Sequence, residues 1–360
     1  MKLAVIYTDK RGKFVSEGCA KFCDVIDYDL SNIQLSWWQR YLSALISYHS
    51  DRNIWMNDYD RNPAMVMFRK IVGDEFLRKK ATKVDAVLQF GAMTLYDHTI
   101  LGNPKFYIYH DGAYDPENLF WSSPRFGHSF CKRQTQWLQK ADAIFTFSNW
   151  AKNQHINDYL IPGEKVFDVK WGPCLPIRDI LVRERDYAKK FVFIGGEVIR
   201  KGIDILLEAF ETVNKLHNDI SLEIIGTTSD KFSDYDLRNI RFHGYCDAEE
   251  IINILSASDV FILPSRYERA GHATIEAMCY GLPVIVTDTC GLPEPVISGQ
   301  CGHIIDVENI NALSNAILSL INNPKQVSEF SENAIMEYKK NWTWDKVGSR
   351  IVSEIEASLR

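Results

Sequence analysis

The clearest structural pattern in this chain lies in residues 258–295, SDVFILPSRYERAGHATIEAMCYGLPVIVTDTCGLPEP. An apolar run at 260–263 is typical of a strand buried on both faces. Residues 272–280 carry apolar side chains at helical spacing, and Gly281 follows where a left-handed C-terminal cap belongs. A second buried strand at 284–286 completes one strand–loop–helix–strand unit, which indicates a parallel α/β sheet.

The strand-to-helix loop of this unit should lie at the carboxyl edge of the sheet, where open α/β folds bind ligands. The amides of His272, Ala273 and Thr274 would begin the helix without internal partners, as an anion site. Two carboxylates flank this site, Glu268 in the loop and Glu276 in the helix. Because carboxylates accept hydrogen bonds from sugar hydroxyls but repel phosphate, the pattern predicts a ligand that carries both phosphate and sugar.

Composition sets the class of protein. A chain of 360 residues exceeds one usual core, which predicts two domains, and a net charge of −6 argues against general nucleic-acid binding. Residues 1–7, MKLAVIY, are too short for a signal peptide and predict a first strand, and no apolar run approaches the roughly 18 residues that cross a membrane. None of the eight cysteines forms a C-x-x-C pair. We therefore expect a cytoplasmic protein, with peripheral contact to the inner face of the membrane left open.

The two glutamates also carry a family resemblance. Glu268 and Glu276, with seven residues between them, resemble the E-x7-E signature of the family-4 retaining glycosyltransferases, and residues 291–294, GLPE, look like the family's Gly-x-x-Glu loop. The resemblance extends from about Ala141 to the C-terminus. It implies an α/β GT-B fold, with two Rossmann-like domains facing across a cleft and a C-terminal helix crossing back to the first domain.

The implied domain boundaries follow from the strand pattern. We predict an N-terminal, acceptor-side domain at 1–172 that also takes in a C-terminal helix at about 345–360. The C-terminal, nucleotide-sugar-binding domain is predicted at 173–344, and residues 171–176, WGPCLP, mark the linker through their prolines and glycine.

A second loop is predicted to hold the diphosphate. Gly195 and Gly196 follow a strand, and glycine lets the backbone approach a ligand closely, while Arg200 and Lys201 supply two cations. The segment resembles the family's phosphate-binding segment, although Gly196 stands where the family has arginine. A solvated pair of cations at a helix start is the alternative interpretation.

The resemblance assigns further roles. Glu276 corresponds to the glutamate that binds the ribose hydroxyls, and Glu268 to the one that faces the donor sugar, while Gly271 keeps a tight backbone between them. His110, in the loop after a strand of the first domain, would lie beside the donor sugar. The alternatives are an exposed helical glutamate for Glu276 and a structural histidine for His110.

These features predict a retaining, metal-independent glycosyltransferase. It would move a sugar from a nucleotide-diphosphate-sugar donor to a glycan, lipid-linked or other glycoconjugate acceptor, with no cofactor besides the donor. Asp-Tyr-Asp occurs at 27–29, 58–60 and 234–236, but we expect all three in surface turns and predict no metal site. A non-catalytic nucleotide-sugar-binding scaffold subunit and a GT-B-fold nucleotide-sugar epimerase remain alternatives.

The first domain contains a basic, aromatic-rich region that suggests a membrane contact. Helices are predicted at 34–49 and 62–82. The aromatic and basic side chains at or near these helices that could contact a membrane are Trp37, Trp38, Arg40, Arg69, Lys70, Arg78, Lys79, Lys80 and Lys83. Such cations would favour an anionic leaflet. The alternative is a solvated helix face with both tryptophans in the core.

Overall fold

The computed structural model describes residues 1–112, 114–115, 120, 123–176 and 188–360. The chain divides into two compact units. Unit 1 comprises Met1–Lys170 together with Trp344–Arg360, and unit 2 comprises Trp171–Thr343. The prediction that the last helix returns to the first domain is confirmed, since that helix belongs to unit 1.

Unit 1 is an α/β unit built on six parallel strands. Its strands are β1 (Lys2–Tyr7), β2 (Asp24–Asp29), β3 (Ala86–Phe90), β4 (Lys105–His110), β5 (Ala143–Thr146) and β6 (Val166–Asp168). Its helices are α1 (Gly12–Cys19), α2 (Trp37–Ser47), α3 (Arg52–Arg61), α4 (Pro63–Lys79), α5 (Gly127–Lys140), α6 (Asn149–Asn157) and, at the C-terminus, α13 (Trp344–Leu359). The central strands are apolar and buried on both faces, as parallel strands covered by helices must be.

Unit 2 repeats this architecture with a second six-stranded parallel sheet. Its strands are β7 (Lys190–Ile194), β8 (Ser221–Ile225), β9 (Ile240–Gly244), β10 (Val260–Leu263), β11 (Val284–Thr287) and β12 (Gly302–Ile305). Its helices are α7 (Val198–Lys201), α8 (Ile203–Asn214), α9 (Ala248–Ala257), α10 (His272–Cys279), α11 (Ile310–Asn322) and α12 (Pro324–Asn341). The strand–loop–helix–strand unit predicted from residues 258–295 is present as β10, α10 and β11, and Gly281 has a left-handed φ of 70°.

The order of the strands differs between the two sheets. Unit 2 has the order β12-β11-β10-β7-β8-β9, which is the dinucleotide-binding order 3-2-1-4-5-6 when its strands are counted from β7. Unit 1 has the order β2-β1-β3-β4-β5-β6, which begins like the flavodoxin-type arrangement. Both orders reverse direction next to their first strand, and ligands of open α/β sheets bind at that point.

The region between β2 and β3 departs from the sequence prediction. The helix expected at 34–49 begins at Trp37 and ends at Ser47, and α3 was not predicted at all. The polar sequence of α3, RNIWMNDYDR, lacks a clear apolar stripe, and its start depends on the Asp51 carboxylate, which accepts from the amides of Asn53 and Ile54. The alternative interpretation, in which Trp37 and Trp38 are core residues, is wrong, because they are 74% and 49% exposed.

The C-terminal helix is fixed to unit 1 by close backbone packing. A side-chain carbon added at Gly18 on α1 would lie 2.5 Å from the carbonyl oxygen of Trp344, and one at Gly348 would lie 2.3 Å from the carbonyl carbon of Gly18. The Phe14 and Trp344 rings stack at 6.0 Å. Helix α13 therefore covers α1 at a distance that only glycine allows.

Candidate functional site

The candidate site lies in unit 2 at the carboxyl ends of β7 and β10. These two strands are neighbours in the sheet, and the strand order reverses between them. Two loops therefore leave the same edge side by side. The first contains Gly195 and Gly196, and the second contains Glu268 and Gly271, so the chain's two strongest sequence signals meet where such sheets bind ligands.

Glycine allows the loop after β7 to pack against its neighbours. A side-chain carbon at Gly226 would lie 2.7 Å from the carbonyl carbon of Gly195, and one at Gly196 would lie 3.0 Å from the carbonyl oxygen of Gly226. Gly202, with a φ of +70°, ends α7, and a side-chain carbon there would lie 2.1 Å from the carbonyl oxygen of Pro264. The backbone of this loop is therefore held against both neighbouring strands.

The structure brings Arg200, Lys201 and Glu268 into one buried ion cluster. Arg200 Nη1 donates to Glu268 Oε2 at 3.0 Å, and Lys201 Nζ donates to the same oxygen. Arg200 also pairs with Glu197, with Nε donating to Oε2 at 2.7 Å. The side chain of Glu197 is 56% exposed, whereas that of Glu268 is 11% exposed. An incoming anion can therefore replace the exposed partner of Arg200 while the buried pair remains.

Electrostatics keeps this cluster charged. Burial by itself would raise the pKa of Glu268, but Lys201 and Arg200 outweigh it and lower that pKa to about 2. Burial would lower the pKa of Arg200, and the carboxylates of Glu197 and Glu268 raise it above its ordinary value. Glu268 is thus an ionised carboxylate at neutral pH, which suits an acceptor of hydrogen bonds from sugar hydroxyls.

The start of α10 differs in one respect from the prediction. Gly271 is the N-cap residue of α10 and has a φ of 63°. Because glycine has no side chain, it cannot accept a side-chain hydrogen bond from the first amides of the helix. The expectation is wrong for the Thr274 amide, which donates to the Gly271 carbonyl at 2.9 Å because the left-handed glycine turns that carbonyl toward the helix. The Thr274 hydroxyl is buried and forms no hydrogen bond within the described residues. Among the described residues, the hydroxyl of Thr274 is therefore the group without a partner, and its amide is not.

Glu276 points toward the segment that opens unit 2. Its Oε1 accepts a hydrogen bond from the Cys174 amide at 3.1 Å, and its side chain is nearly buried, so the interpretation as an exposed helical glutamate is wrong. Nearby, the buried ring of Trp171 packs on His272, with ring centroids 3.7 Å apart. Residues 171–176, expected as a linker, thus help to position the start of α10.

His110 lies in unit 1, at the end of β4. It is buried, its Nδ1 is 2.9 Å from the Gly112 carbonyl oxygen, and its Nε2 is 3.1 Å from Nε2 of His155 on α6. His155 Nδ1 lies 2.6 Å from the Ala151 carbonyl oxygen. A network of this kind orients the His110 ring, and sequence reasoning did not find His155 because it lies 45 positions away in a helix without a motif.

Tyr245 is a second residue that the sequence analysis missed. It follows β9, it is 92% exposed, and its hydroxyl would lie 3.4 Å from a side-chain carbon at Gly196. A fully exposed aromatic ring beside the glycine loop suits stacking on a flat ring of a ligand. Its position directly after a strand, in the sequence HGYCD, was the available signal.

The described residues show neither a metal cluster nor a membrane-spanning helix. They contain no group of three or more His, Cys, Asp and Glu side chains arranged for a metal ion. The Asp-Tyr-Asp segments are not all in turns as expected, since 27–29 lies on β2 and 58–60 lies in α3. Within the same residues no helix is long and apolar enough to cross a membrane.

Comparison with known proteins agrees with this geometry. Residues 182–336 match the family model described as Glycosyl transferases group 1. An uncharacterized glycosyltransferase of Methanocaldococcus jannaschii is 32% identical over 185 residues, which cover 49% of this chain and 51% of that protein. The GDP-mannose-dependent monoacylated alpha-(1-6)-phosphatidylinositol monomannoside mannosyltransferase of Corynebacterium glutamicum is 26% identical over 175 residues, 45% of this chain and 46% of that one. The chain spans about half the length of the curated relatives it matches.

Solved structures are similar over nearly the whole chain. One of them is WaaG, a glycosyltransferase involved in lipopolysaccharide biosynthesis, with a TM-score of 0.67 and 16% identity over 99% of each chain. At this identity the likeness concerns the fold, and it shows that the chain has the two-domain GT-B fold.

Proposed function

We propose that this chain, whose residues 182–336 match the model of the group 1 glycosyl transferases, transfers a sugar from a nucleotide-diphosphate donor to an acceptor hydroxyl with retention at the anomeric carbon. The observation that carries the proposal is the buried cluster of Arg200, Lys201 and Glu268 beside the glycine loop and the start of α10. Two cations and a carboxylate in one place suit a ligand with a diphosphate and a sugar.

The reaction follows from the charges that this site holds. The bond between the anomeric carbon and the diphosphate oxygen breaks, and its electron pair stays on the diphosphate. The acceptor oxygen forms the new bond to the anomeric carbon, and its proton passes to the departing diphosphate oxygen. Arg200 and Lys201 are held in position before the substrate binds, so they stabilise the developing negative charge without reorganisation and without a metal.

Each remaining site residue has a role in this proposal. Gly195 and Gly196 allow the diphosphate to approach the backbone closely. The amides of His272 and Ala273 and the Thr274 hydroxyl bind it from the other side. Glu276 binds the ribose. Glu268 binds the sugar through its ionised carboxylate. His110 in unit 1 is the residue proposed to act beside the sugar from the acceptor side.

A binding experiment tests these roles. Isothermal titration with a nucleoside diphosphate and with the matching nucleotide sugar would compare wild type with Glu276→Ala and Glu268→Ala. Loss of a hydrogen bond to a charged group costs about 1.5–3 kcal/mol, so Glu276→Ala should weaken both ligands about 10–150-fold. Glu268→Ala should weaken binding of the intact donor only. Without Glu268, the cations of Arg200 and Lys201 lose their shared carboxylate partner and become available to the bare diphosphate.

The controls separate charge from shape. Glu268→Gln and Glu276→Gln keep the size of each side chain, and mass spectrometry of the incubated nucleotide sugar reports transfer, hydrolysis or isomerisation. Equal losses for both ligands in both variants would contradict the roles assigned here. Isomerisation without transfer would favour an epimerase, and binding without any turnover would favour a scaffold subunit.

We also propose that unit 1 contacts an anionic membrane surface, where a lipid-linked acceptor would be found. The α2–α4 apolar face consists of Trp38, Leu42, Leu45, Met67 and Ile71, which are 39–61% exposed. The cations expected to attract the anionic membrane are partly neutralised, since Lys70 pairs with Asp74 and Lys79 pairs with Glu75. The apolar face, rather than charge alone, therefore supports the contact.

Vesicle flotation tests this contact. Wild type should float with anionic vesicles at low salt, and Leu45→Ser with Ile71→Ser should abolish flotation, whereas Lys79→Glu with Lys80→Glu should only weaken it. Leu216→Ser, at an apolar side chain of unit 2 that is 68% exposed, is the control. No flotation of the wild type at low salt would show that the acceptor is reached without this face.

A further inference from the structure

Unit 1 contains a pocket that the proposed chemistry does not use. The α2–α3 pocket lies between these two helices, has a volume of about 540 Å³, and is lined mainly by Trp37, Arg40, Tyr41, Trp55, Met56 and Tyr59. This volume falls within the roughly 300–1,000 Å³ of small-molecule sites. It is separate from the α2–α4 apolar face, whose residues do not line it.

The aromatic walls of the pocket are partly rigid. Trp55 Nε1 donates to the Ala44 carbonyl oxygen at 3.1 Å, and the Trp55 ring packs edge-on against Tyr48 at 6.0 Å. Trp37, by contrast, is 74% exposed at the pocket's edge. The face of an aromatic ring is negative and attracts the weakly positive C–H bonds of a saccharide ring, so such walls suit a sugar.

The charge of the pocket is of one sign. Arg40 and Arg52 both line it, no carboxylate is among the described residues that do, and neither arginine forms an ion pair within the described part of the chain. A guanidinium binds a carboxylate through two parallel hydrogen bonds. In a protein of net charge −6, two such cations in one aromatic pocket favour an anionic ligand.

We propose that the α2–α3 pocket binds an acidic saccharide, with sugar rings on the aromatic walls and a carboxylate on Arg40 and Arg52. A fatty-acyl chain would leave both guanidinium groups without a partner, and a small inorganic anion would leave the aromatic walls unused. An acidic saccharide uses both features. The proposal rests on the proposed function, because it makes the acceptor an acidic glycan that unit 1 recognises away from the reacting hydroxyl.

The experiment uses ¹⁹F NMR of the full chain labelled with 5-fluorotryptophan, in which Trp37→Phe and Trp55→Phe assign the two pocket resonances. The probes are α-1,4-linked trigalacturonic acid, a hyaluronan tetrasaccharide, and α-1,4-linked galactotriose, which differs from the first only in its carboxylates. The acids should shift the Trp37 and Trp55 resonances and leave the other seven tryptophans unchanged. Galactotriose should bind at least about tenfold more weakly.

Paired variants separate the two arginines from general electrostatics. Arg40→Gln with Arg52→Gln should weaken the acids at least about tenfold. Arg78→Gln with Lys83→Gln removes the same charge outside the pocket and should leave binding within about twofold. Equal binding of acidic and neutral trisaccharides, equal effects of the two double variants, or no shift of either pocket resonance with any acid at 20 mM would overturn the proposal.

One further measurement distinguishes this proposal from the function on which it rests. Binding of a nucleoside diphosphate, followed by thermal shift on the same samples, should be unaffected by Arg40→Gln with Arg52→Gln. Failure in the pocket alone leaves diphosphate binding intact. Failure of the glycosyltransferase assignment would appear as absent diphosphate binding in every variant, including wild type.

Discussion

Helices α6 and α10 each follow a buried strand of a parallel sheet, one in each unit, but they begin differently. At α6, the Ser148 side chain accepts from the Ala151 amide at 3.1 Å and caps the helix from within. At α10, the cap is Gly271, which has no side chain to offer. The first helix start is closed by its own sequence, and the second is available to a ligand.

The two caps distinguish a helix start that only stabilises the fold from a helix start that can bind a ligand. A serine cap satisfies an amide that would otherwise seek a partner, and it adds stability. A left-handed glycine gives up that stability, and at α10 it leaves space for a ligand to approach the amides of His272 and Ala273. The neighbouring Glu268, Arg200 and Lys201 then make the site of α10 chemically specific.

The largest expected effect concerns the support beneath α10. Trp171→Ala should lower the free energy of unfolding by about 3–5 kcal/mol, because this ring is 1% exposed and packs on His272. Urea unfolding measures the change. The matched control is Trp37→Ala at a 74% exposed position of unit 1, which should stay within about 0.5 kcal/mol. Similar losses in both variants would show that Trp171 does not support the site.

The next effect is a pH dependence of stability that arises at the α10 site. The pKa of Glu268 is about 2, below its ordinary value of 4.5, so its ion cluster stabilises the folded state fully above about pH 4.5 and loses this contribution as the pH falls toward 2. The contribution is about 3 kcal/mol. The free energy of unfolding, measured from pH 6 to pH 2, should therefore decrease less with falling pH in Glu268→Gln than in wild type.

Glu329→Gln, at an exposed carboxylate on α12, controls for net charge. It changes the net charge by the same amount and leaves the Glu268 cluster intact, so the free energy of unfolding that this cluster contributes between pH 6 and pH 2 should be unchanged. If the free energy of unfolding of Glu268→Gln depends on pH as that of wild type does, the cluster does not hold Glu268 in its ionised form. The starts of α6 and α10 would then not differ in their electrostatics.

A smaller effect is expected at the glycine cap itself. Gly271→Ala places a side chain at a φ of 63° and 2.5 Å from Leu292 Cδ1, so it should destabilise by about 1–2 kcal/mol and also weaken diphosphate binding. Gly163→Ala in unit 1 is the control, since its added carbon would only touch Ile156 at 3.5 Å. Unchanged diphosphate binding in Gly271→Ala would show that the ligand does not approach this helix start.

The smallest effect is expected at the serine cap. Ser148→Ala should destabilise by about 1 kcal/mol, because the Ala151 amide loses its partner, and Ser148→Thr should restore most of the loss. Nucleoside diphosphate binding, measured by titration, should not change in either variant. A loss of binding in Ser148→Ala with unchanged stability would make this helix start a binding one as well.

Much of unit 2 could be predicted from sequence because its signals are local. The strand, loop, helix and strand of β10, α10 and β11 are contiguous, and their apolar periodicity is set by neighbouring residues. The same holds for Gly281 as a left-handed cap. Unit 1 was harder to predict between β2 and β3, because α3 is polar and is held by its Asp51 cap and by packing against other helices.

The amino-acid sequence by itself determined the parallel α/β pattern, the glycines and charged residues of the two site loops, and the spacing of Glu268 and Glu276. Only the tertiary structure decided that Arg200 and Lys201 hold Glu268 from 68 and 67 positions away, that the Thr274 amide is taken by Gly271, and that Trp37 is exposed. The physical reason is range. Periodicity and capping depend on neighbours within a few residues, whereas ion pairing and exposure depend on which strands and helices the fold places side by side.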